Sequence, residues 1–474
     1  MCRAQVVVGA AEGIAAFEAS RQRLEVVFPE VLASLQQDGA HYADGFYERS
    51  LLQYGRWVQH AHGRLSPAVV HIRSALVEGL ALHAHRREGH WFGATSDATP
   101  DAAYRLAGRL PLTEEPAVAV PVPTVPVPTA APEAPLRALL ERTADLAFSL
   151  SDQIASLRID VQSRLRQTLV VNTDGVAVLS TQPLTELRVE VDVRGAHGRT
   201  AGTAQRAVVG LAEAFDEDVP ARIARDAVAQ AQRLRDARPL TAGSYPIVLA
   251  AGWGGAWLHE VVGHHLEADV ALAHTTAMST NPIAPTYITL LDDGTHPDGR
   301  ASASHDDEGT ATGETTLIRE GQCLQWLTDR THADRLAMLP TGNGRRASYA
   351  HPPLPRMTNL YLAPGTDRPD ALVHTVRDGL LVHELGRGVV DMATQTYRMH
   401  VREGSRIEQG RRTHAVRDVW LEGPIDGALF SIRGVANDGF LDRHRGRCVK
   451  HGQQVPISCG TPTLLLSTLR VSPS

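Results

Sequence analysis

The sequence predicts an α+β protein built from mixed antiparallel sheets with helices. Short β-rich segments follow one another with turn residues between them, which is typical of antiparallel strands. Helical segments lie among these strands without the regular strand–helix–strand alternation of a doubly wound sheet. The length of 474 residues exceeds what one hydrophobic core usually serves, so we expect more than one domain.

One break in composition divides the chain. Residues 111–135 read PLTEEPAVAVPVPTVPVPTAAPEAP, and prolines at this density neither continue a helix nor donate to a strand ladder. We interpret the segment as a linker and regard a ligand for a proline-binding module as the weaker alternative. The predicted organisation is an N-terminal α+β domain (1–110), the linker (111–135), a middle helix and β-meander region (136–240) and a larger C-terminal domain (241–474).

Before the linker, residues 11–37 have the apolar spacing of a helix, and residues 42–90 contain shorter apolar patches suited to strands and a helix. After the linker, LRALLERTADLAFSL is amphipathic at helical spacing. Four short alternating segments follow, and the turn sequence NTDG between two of them indicates an antiparallel meander. Helices are predicted next, near residues 202–215 and 219–237.

From residue 246 the pattern changes to a strand (PIVLAAG), a Gly-rich turn and a helix that carries the segment HEVVGHHLEAD. Beyond it we predict a strand at YITLLDD, a hairpin around residues 319–322 and a helix within residues 367–385. Strands across residues 397–422 and a closing strand in TPTLLLSTLRV complete the expected C-terminal domain.

Composition argues against several classes of function. The net charge is −6 and no basic stripe is present, so we expect no nucleic-acid binding. No apolar run reaches the eighteen or so residues of a membrane span, and the first residues lack the order of a signal peptide. Four cysteines do not suggest a disulfide framework. We therefore expect a cytoplasmic chain with reduced thiols.

The segment HEVVGHHLEAD, residues 259–269, concentrates metal-binding side chains at an unusual spacing. His259 and His264 are five residues apart, which places them about 140° apart on a regular helix. His265 is about 120° away on the other side and fits no better. A shared ion therefore requires a distorted helix, and a one-residue π-bulge is the distortion that we expect, with Gly263 lowering the cost of bending.

The chemistry of a zinc hydrolase is otherwise present in this segment. Two imidazoles and one further ligand would leave a position for water, and Glu260 is placed to accept a proton from it. His265 or Glu267 would orient a ligand from behind. The residues themselves leave the third ligand open between Cys448 and Cys459, and a histidine-rich helix without a metal is the alternative interpretation.

At this point the sequence resembles a known family. PIVLAAGWGGAWLHEVVGHHLEAD is similar to the active-site segment of the TldD/PmbA metallopeptidases, on the catalytic TldD side. LLDDGTHPDG, SHDDEGT, PTGNGRRASYAHPPLPRMTN and GRCVKHGQQVPISCGTPTL resemble further family blocks in the same order, and DGAHYADGFYER resembles the start of the family's N-terminal domain. The resemblance covers nearly the whole chain except the first 30 or so residues and the linker.

The resemblance implies roles for individual residues. It makes His259 and His264 zinc ligands, Glu260 the general base and Cys448 the third ligand, which leaves Cys459 as a structural residue. GRCVKHGQQVP departs slightly from the family pattern, with a valine in place of the usual glycine after the cysteine. His265 replaces a residue that is usually glycine, and we favour a solvated helix residue over a substrate contact or a group behind the metal ligands.

Other residues in the family-like blocks are weaker candidates. Arg345 and Arg346 would hold a peptide carboxylate or form an interdomain salt bridge, and we regard the two readings as equally supported. Tyr349 and His351 are candidates for stabilising charge near the cleft. The acidic run of residues 306–308 has the composition of a metal site, but a solvated turn or helix N-terminus is the expected interpretation.

The family implies a function and partners. The resemblance predicts an N-terminal TldD/PmbA-type domain, a C-terminal metalloprotease domain and a Zn2+ cofactor. It predicts hydrolysis of extended, unfolded peptides inside a dimeric chamber, formed with a TldE-like subunit that lacks the zinc motif or with a second copy. One physiological role that fits this activity is the maturation of a modified peptide. A closely related activity is that of an amidase acting on a peptide-like intermediate in natural-product assembly. The alternatives from other classes are a non-catalytic chamber-forming subunit and a gyrase-related regulator.

Overall fold

The computed structural model of the chain describes most of its length. The described residues are 2–60, 67–87, 89–109, 125–126, 133–195, 198–209, 213–216, 218–273, 281–391, 393–439, 441–442 and 446–473.

The helices of the described residues are short, apart from three. They are α1 (Cys2–Gln37), α2 (Pro100–Ala107), α3 (Glu133–Leu150), α4 (Asp218–Arg235), α5 (Gly254–Val261), α6 (Ala268–Ala273), α7 (Arg330–Leu336) and α8 (Pro369–Thr375). Short 3-10 turns are formed by Glu213–Phe215, Gly263–Leu266 and Ala428–Ser431. Within the described residues, no helix is long and apolar enough to cross a membrane.

The strands are longest in the first half of the chain. They are β1 (Tyr42–His60), β2 (Val69–Arg86), β3 (Gly89–Thr95), β4 (Val125–Pro126), β5 (Ile154–Asn172), β6 (Ala177–Gly195), β7 (Gly198–Val208), β8 (Gly243–Leu249), β9 (Leu290–Asp293), β10 (Glu314–Arg319), β11 (Gln322–Cys323) and β12 (Gly344–Arg345). The second half contributes β13 (Leu354–Pro355), β14 (Asn359–Leu362), β15 (Asp378–Asp391), β16 (Thr396–Glu408), β17 (Arg411–Val416), β18 (Val419–Pro424), β19 (Ile432–Val435), β20 (Leu441–Asp442), β21 (Arg447–Lys450), β22 (Gln453–Pro456), β23 (Ser458–Gly460) and β24 (Leu464–Pro473).

The N-terminal half forms one antiparallel sheet with the order β3-β2-β1-β5-β6-β7, and β4 pairs with β2. Strands from both sides of the Pro-rich segment therefore share one sheet. On one face, Leu157 of β5 packs with α3 and α4, and Leu169 packs with α1. Val170 points to the opposite face, because neighbouring strand residues alternate, and packs there with Tyr349 from the C-terminal half.

The C-terminal half contains two main sheets around one hydrophobic core. Their orders are β15-β8-β24-β18-β16-β17, with β19 on β24, and β11-β10-β9-β14-β23-β20. Helix α5 lies between them, since it contacts β15 of the first sheet and β14 and β23 of the second. Trp257, Leu258 and Val261 of α5 are buried in this core. The helix that carries the histidine segment is therefore held from both sides.

The predicted α+β class is confirmed, as are most local elements. The helix over 11–37 lies within α1, the helix after the linker is α3, and the meander is β5–β7. The strand, turn and helix before the histidines are β8 and α5, and the hairpin around 319–322 is β10 and β11. The strands across 397–422 and the closing strand are also observed. Most of the linker, residues 111–124 and 127–132, lies outside the described residues.

Three predictions about helices are wrong in whole or in part. Residues 202–215 form most of β7 and a 3-10 turn, because their apolar residues pair with β6 rather than line a helix face. Residue Gly202 also meets α4 so closely that a Cβ there would lie 2.2 Å from the Ala227 carbonyl oxygen. The described part of residues 42–90 forms strands without a helix. The helix within 367–385 ends at Thr375, and β15 occupies the rest.

Candidate metal centre and active site

A Gly-rich turn brings α5 against the second C-terminal sheet. Strand β8 ends at Leu249, and Gly252 adopts a left-handed conformation, with φ of +83°, before the helix begins. At Gly255 a Cβ would lie 2.6 Å from the Cys459 carbonyl carbon of β23. A side chain at this position would push the helix away from the sheet, so the glycines fix where the following histidines lie.

The five-residue histidine spacing is accommodated by ending the helix. Helix α5 stops at Val261, Val262 has φ −122° and ψ −50°, and a tighter 3-10 turn begins at Gly263. The expected π-bulge is therefore wrong: a break and a tighter turn replace the wider turn that we predicted. The rings of His259 and His264 meet edge to face with centroids 4.6 Å apart.

Cys448 completes the cluster from a distant hairpin. It lies on β21, which pairs with β22, and its Sγ is 3.7 Å from His264 Nε2. One potential ligand atom from each of His259, His264 and Cys448 lies within 4.8 Å of the other two. Cys459, the other cysteine that the residues left open, is buried on β23 and lies outside this group.

The electrostatics of the cluster favour a thiolate. Burial alone would raise the pKa of the Cys448 thiol, but hydrogen bonding and charge from His259 and His264 lower it to about 5. Burial would likewise lower the pKa of His264, but its contacts with Cys448 and Glu267 raise it to about 10. Cys448 and His264 thus hold a proton between them, and a divalent cation can replace that proton on the same donor atoms.

The donor set fits zinc. A thiolate with two imidazoles is a preferred zinc ligand set, and three protein ligands leave a fourth tetrahedral position for water. The Nδ1 atom of His259 is buried and has no hydrogen-bond partner among the described residues, as expected of a nitrogen that is available to bind a metal ion. By contrast, burial and the nearby Cys448 raise the pKa of Cys459 well above its usual value, so this thiol stays neutral.

A chain of ionic hydrogen bonds stands behind His264. Its Nδ1 lies 2.8 Å from Glu267 Oε2, so Glu267 directs Nε2 towards Cys448. The Lys450 ammonium donates to Glu267 at 2.8 Å, to Asp269 at 2.6 Å and to the Pro355 carbonyl at 3.0 Å. Despite burial, which acts in the opposite direction, His264 and Lys450 lower the pKa of Glu267 to about 2. Glu267 is therefore an ionised partner of His264.

Glu260 lies directly after His259 in the last turn of α5 and is partly exposed. Gly388 of β15 faces it, and a Cβ on Gly388 would lie 3.1 Å from Glu260 Cγ. Glu260 is thus the chain neighbour of one donor residue, His259, and is not a member of the donor cluster. A carboxylate in this position can accept a proton from water held at the cluster.

Comparison of the sequence with known protein families agrees with this geometry. Residues 126–235 match the PmbA/TldA metallopeptidase central domain, and residues 242–473 match the C-terminal domain of the same family. The chain belongs to the TldD/PmbA family. The resemblance inferred from the sequence is thereby confirmed.

Several family members are similar in sequence. The Metalloprotease TldD homolog of Haemophilus influenzae is 33% identical over 341 residues, which is 70% of each chain. The Metalloprotease TldD homolog of Buchnera aphidicola subsp. Schizaphis graminum is 30% identical over 70% of this chain and 71% of that protein. The Zinc metalloprotease TldD homolog of Saccharolobus solfataricus is 31% identical over 48% of this chain and 52% of its own length.

Solved structures show the same fold. TldE from Thermococcus kodakarensis superimposes with a TM-score of 0.67 at 17% identity, covering 94% of this chain and 99% of that one. A protein described as a DNA gyrase modulator from Thermotoga maritima gives a TM-score of 0.70 at 17% identity, covering 96% and 100%. At this identity the likeness establishes the TldD/PmbA fold and leaves the activity to the site.

The arginines predicted from the TldD/PmbA blocks as candidate site residues are not members of the donor cluster. Arg345 donates to the Met357 and Pro456 carbonyl oxygens, and Arg346 forms a buried ion pair with Asp44 of the N-terminal sheet. Arg346 thus occupies the interdomain arrangement, one of the two that the sequence left open.

Tyr349 and His351 are placed by the N-terminal sheet and by their own loop. Tyr349 is buried against that sheet, and its backbone NH donates to Glu48. His351 Nδ1 lies 2.9 Å from Ser348 Oγ. His265 is partly exposed in the 3-10 turn, where its backbone NH donates to the Val262 carbonyl. Roles for these side chains stay predictions.

The acidic run of residues 306–308 is buried, so the expected solvated turn is wrong. Asp306, Asp307 and Glu308 are at most 7% exposed. Asp306 accepts hydrogen bonds from the Glu308, Thr310 and Gly344 backbone, which explains how a carboxylate is tolerated inside the protein.

Sequence reasoning missed the importance of Lys450. The sequence alone assigned Lys450 no role, although it holds the Glu267–His264 pair in place. A signal was available, because Lys450 is the one lysine among 47 basic residues. Three acceptors surround its nitrogen, and a compact ammonium with three donors suits them better than a planar guanidinium.

Proposed function

We propose that the chain is a zinc-dependent metallopeptidase that hydrolyses peptide bonds in extended, unfolded peptides. One observation carries the proposal: donor atoms of His259, His264 and Cys448 converge within 4.8 Å. Glu260 follows His259 directly in α5. The names of relatives such as the zinc metalloprotease of Saccharolobus solfataricus support the same chemistry. The proposed ligands are His259, His264 and Cys448, and the proposed base is Glu260.

In this proposal, His259, His264 and Cys448 would hold a zinc ion, which would supply Lewis acidity and make the attacking water more acidic. Glu260 accepts the proton of the attacking water as its oxygen bonds to the peptide carbonyl carbon. The same carboxyl then delivers that proton to the amide nitrogen, so that the C–N bond breaks and a neutral amine leaves.

The groups behind the ligands prepare the cluster for this chemistry. Glu267 fixes the orientation of His264, and Lys450 keeps Glu267 ionised. Cys448 contributes negative charge as a thiolate, which favours retention of a cation through repeated turnover. Of these groups, only Glu260 has a proton-transfer role.

We extend the proposal to the setting in which the site works. A dimeric chamber, formed with a TldE-like subunit or with a second copy, would admit unfolded peptides and exclude folded proteins. Maturation of a modified peptide, or amide hydrolysis in natural-product assembly, would be its physiological use. The family relationship supports this setting, and the converging donor set argues against a purely chamber-forming subunit.

The proposal is tested with Glu260→Gln. Wild-type and variant chains, each measured alone and with a co-purified partner where one is found, are incubated with a mixture of unstructured peptides. New termini are followed by mass spectrometry. We expect Glu260→Gln to keep its zinc and to lose about 10²- to 10⁴-fold in rate, because it removes the proton acceptor but no ligand.

Two controls make the result decisive. Chelated wild-type chain should be inactive and regain activity when zinc is restored, and a folded protein of the same composition should stay intact. Activity of Glu260→Gln within threefold of the wild type, or full activity of the metal-free chain, would refute the mechanism.

A further inference from the structure

A second cluster of metal-binding side chains lies where the N-terminal sheet meets the C-terminal half. His83 and His85 are two residues apart on β2, so both rings project from one face of the strand. Asp44 on β1 is the direct cross-strand partner of His83. Glu308 reaches the same point from the C-terminal half. All four side chains are at most 2% exposed.

The distances between these groups match a shared ion. His83 Nδ1 lies 3.2 Å from Asp44 Oδ2, 3.4 Å from His85 Nε2 and 3.7 Å from Glu308 Oε1. Ligand atoms that bind one tetrahedral ion at about 2.0–2.1 Å are separated by roughly 3.3–3.4 Å. The donor atoms of His83, His85 and Glu308 also lie within 4.8 Å of one another. His83 Nδ1 thus lies at the spacing of a coordination shell from its neighbours on Asp44 and His85.

In three of the four side chains, one polar atom makes a hydrogen bond outside the cluster. The other polar atom of the same side chain faces the cluster. His85 Nδ1 lies 3.2 Å from Asp334 Oδ2, so Nε2 is directed inwards. Asp44 accepts from Arg346 through Oδ1, while its Oδ2 faces His83.

Glu308 is held in the same way. It accepts from the Arg330 backbone NH through Oε2, and Oε1 faces His83. Partners behind the ligands are a regular feature of metal sites in proteins. Glu308 Oε1 itself is fully buried and has no hydrogen-bond partner among the described residues.

The charges of the cluster are compensated unevenly. Arg346 pairs with Asp44 through its other oxygen, whereas Glu308 Oε1 has no hydrogen-bond partner among the described residues. A buried carboxylate oxygen is costly unless a positive charge or a hydrogen bond compensates it.

We propose that His83, His85 and Glu308, with Asp44 beside His83, bind a divalent transition-metal ion that fastens the N-terminal sheet to the C-terminal half. Two imidazoles favour zinc or a neighbouring first-row metal over calcium and magnesium, which prefer oxygen ligands. The site shares no residue with the cluster of His259, His264 and Cys448. Its role is structural, because the ligands are almost fully buried and come from both the N-terminal sheet and the C-terminal half.

The test counts ions in chains that lack the active centre. The double variant His264→Asn/Cys448→Ser is loaded with Zn2+, dialysed and measured by mass spectrometry. We expect two ions per wild-type chain and one per double variant. Loaded with Co2+, the double variant should show ligand-field bands without a sulfur-to-metal charge-transfer band, because the second site contains no thiolate.

Adding His83→Gln to the double variant should remove the remaining ion, whereas His71→Gln, at an exposed position of the same strand, should leave it bound. Zn2+ should raise the unfolding midpoint of the double variant but not that of the variant with His83→Gln. No tightly held ion in a folded double variant would overturn the proposal, as would an ion that His83→Gln leaves in place.

Discussion

Replacing Lys450 with methionine provides the sharpest test of how the candidate active centre is held together. The Lys450 side chain is 7% exposed, and its ammonium group pairs with Glu267, which is fully buried, and with Asp269, which is 14% exposed. Methionine keeps much of the length and apolar stem of lysine but leaves both carboxylates and the Pro355 carbonyl without this donor.

Removing one partner of a buried ion pair typically costs about 3–5 kcal/mol, because the remaining charge is not compensated. We expect Lys450→Met to lose this much free energy of unfolding, measured by urea denaturation with chelator present so that metal binding does not contribute. Zinc affinity should also fall about 10- to 100-fold, since Glu267 no longer fixes His264.

Two variants of the same hairpin serve as controls for Lys450→Met. Lys450→Arg keeps the charge but presents a planar fork to three separate acceptors, so it should lose less stability than the methionine variant. Val449→Met changes a neighbouring side chain that is 62% exposed and should stay within about 0.5 kcal/mol of the wild type. If Lys450→Met also stays within that range, the ammonium does not hold the centre and the reasoning fails.

Three further predictions concern the same region. Cys448→Ser should lose the active-centre zinc while Cys459→Ser keeps it, as metal analysis of the two variants will show; equal losses would contradict the assignment of the third ligand. Gly263→Ala should cost about 1–3 kcal/mol in urea unfolding, because its Cβ would lie 2.3 Å from Met357 Sδ, and the same substitution should cost less in a Met357→Ala background. The folded pKa of Glu267 is about 2, below its unfolded value of about 4.3, so its contribution to stability is present above about pH 4.3 and is lost as the pH falls towards 2. The difference in unfolding free energy between wild type and Glu267→Gln, measured without metal, should shrink across that window, and a constant difference would exclude an ionised Glu267.

Local features of this fold were predictable because they depend on neighbours in sequence. The strand, Gly-rich turn and helix before His259 follow from an apolar run, glycines that permit tight turns and helical spacing. The turn after β5 follows from Asn172, whose side chain accepts hydrogen bonds from the backbone of Asp174 and Val176. For the same reason, the histidine segment was recognisable as a candidate metal site.

Features that depend on distant partners were not accessible in the same way. Residues 202–208 have a strand neighbour in β6 that outweighs their local preference for a helix. The burial of residues 306–308 depends on Arg166 and on the backbone around Gly344, both far away in sequence. Cys448 could be selected as the third ligand only through resemblance to a family, because its 184-residue separation from His264 contains no spacing signal.

The single lysine has a practical consequence for experiments. Its ε-amine is the one side-chain amine of the chain, and it is buried beside the proposed catalytic centre. An amine-reactive reagent can therefore modify a side chain only when the hairpin of β21 and β22 opens. The rate of that modification, compared with and without zinc, measures how often the hairpin opens at the centre. No engineered label is needed.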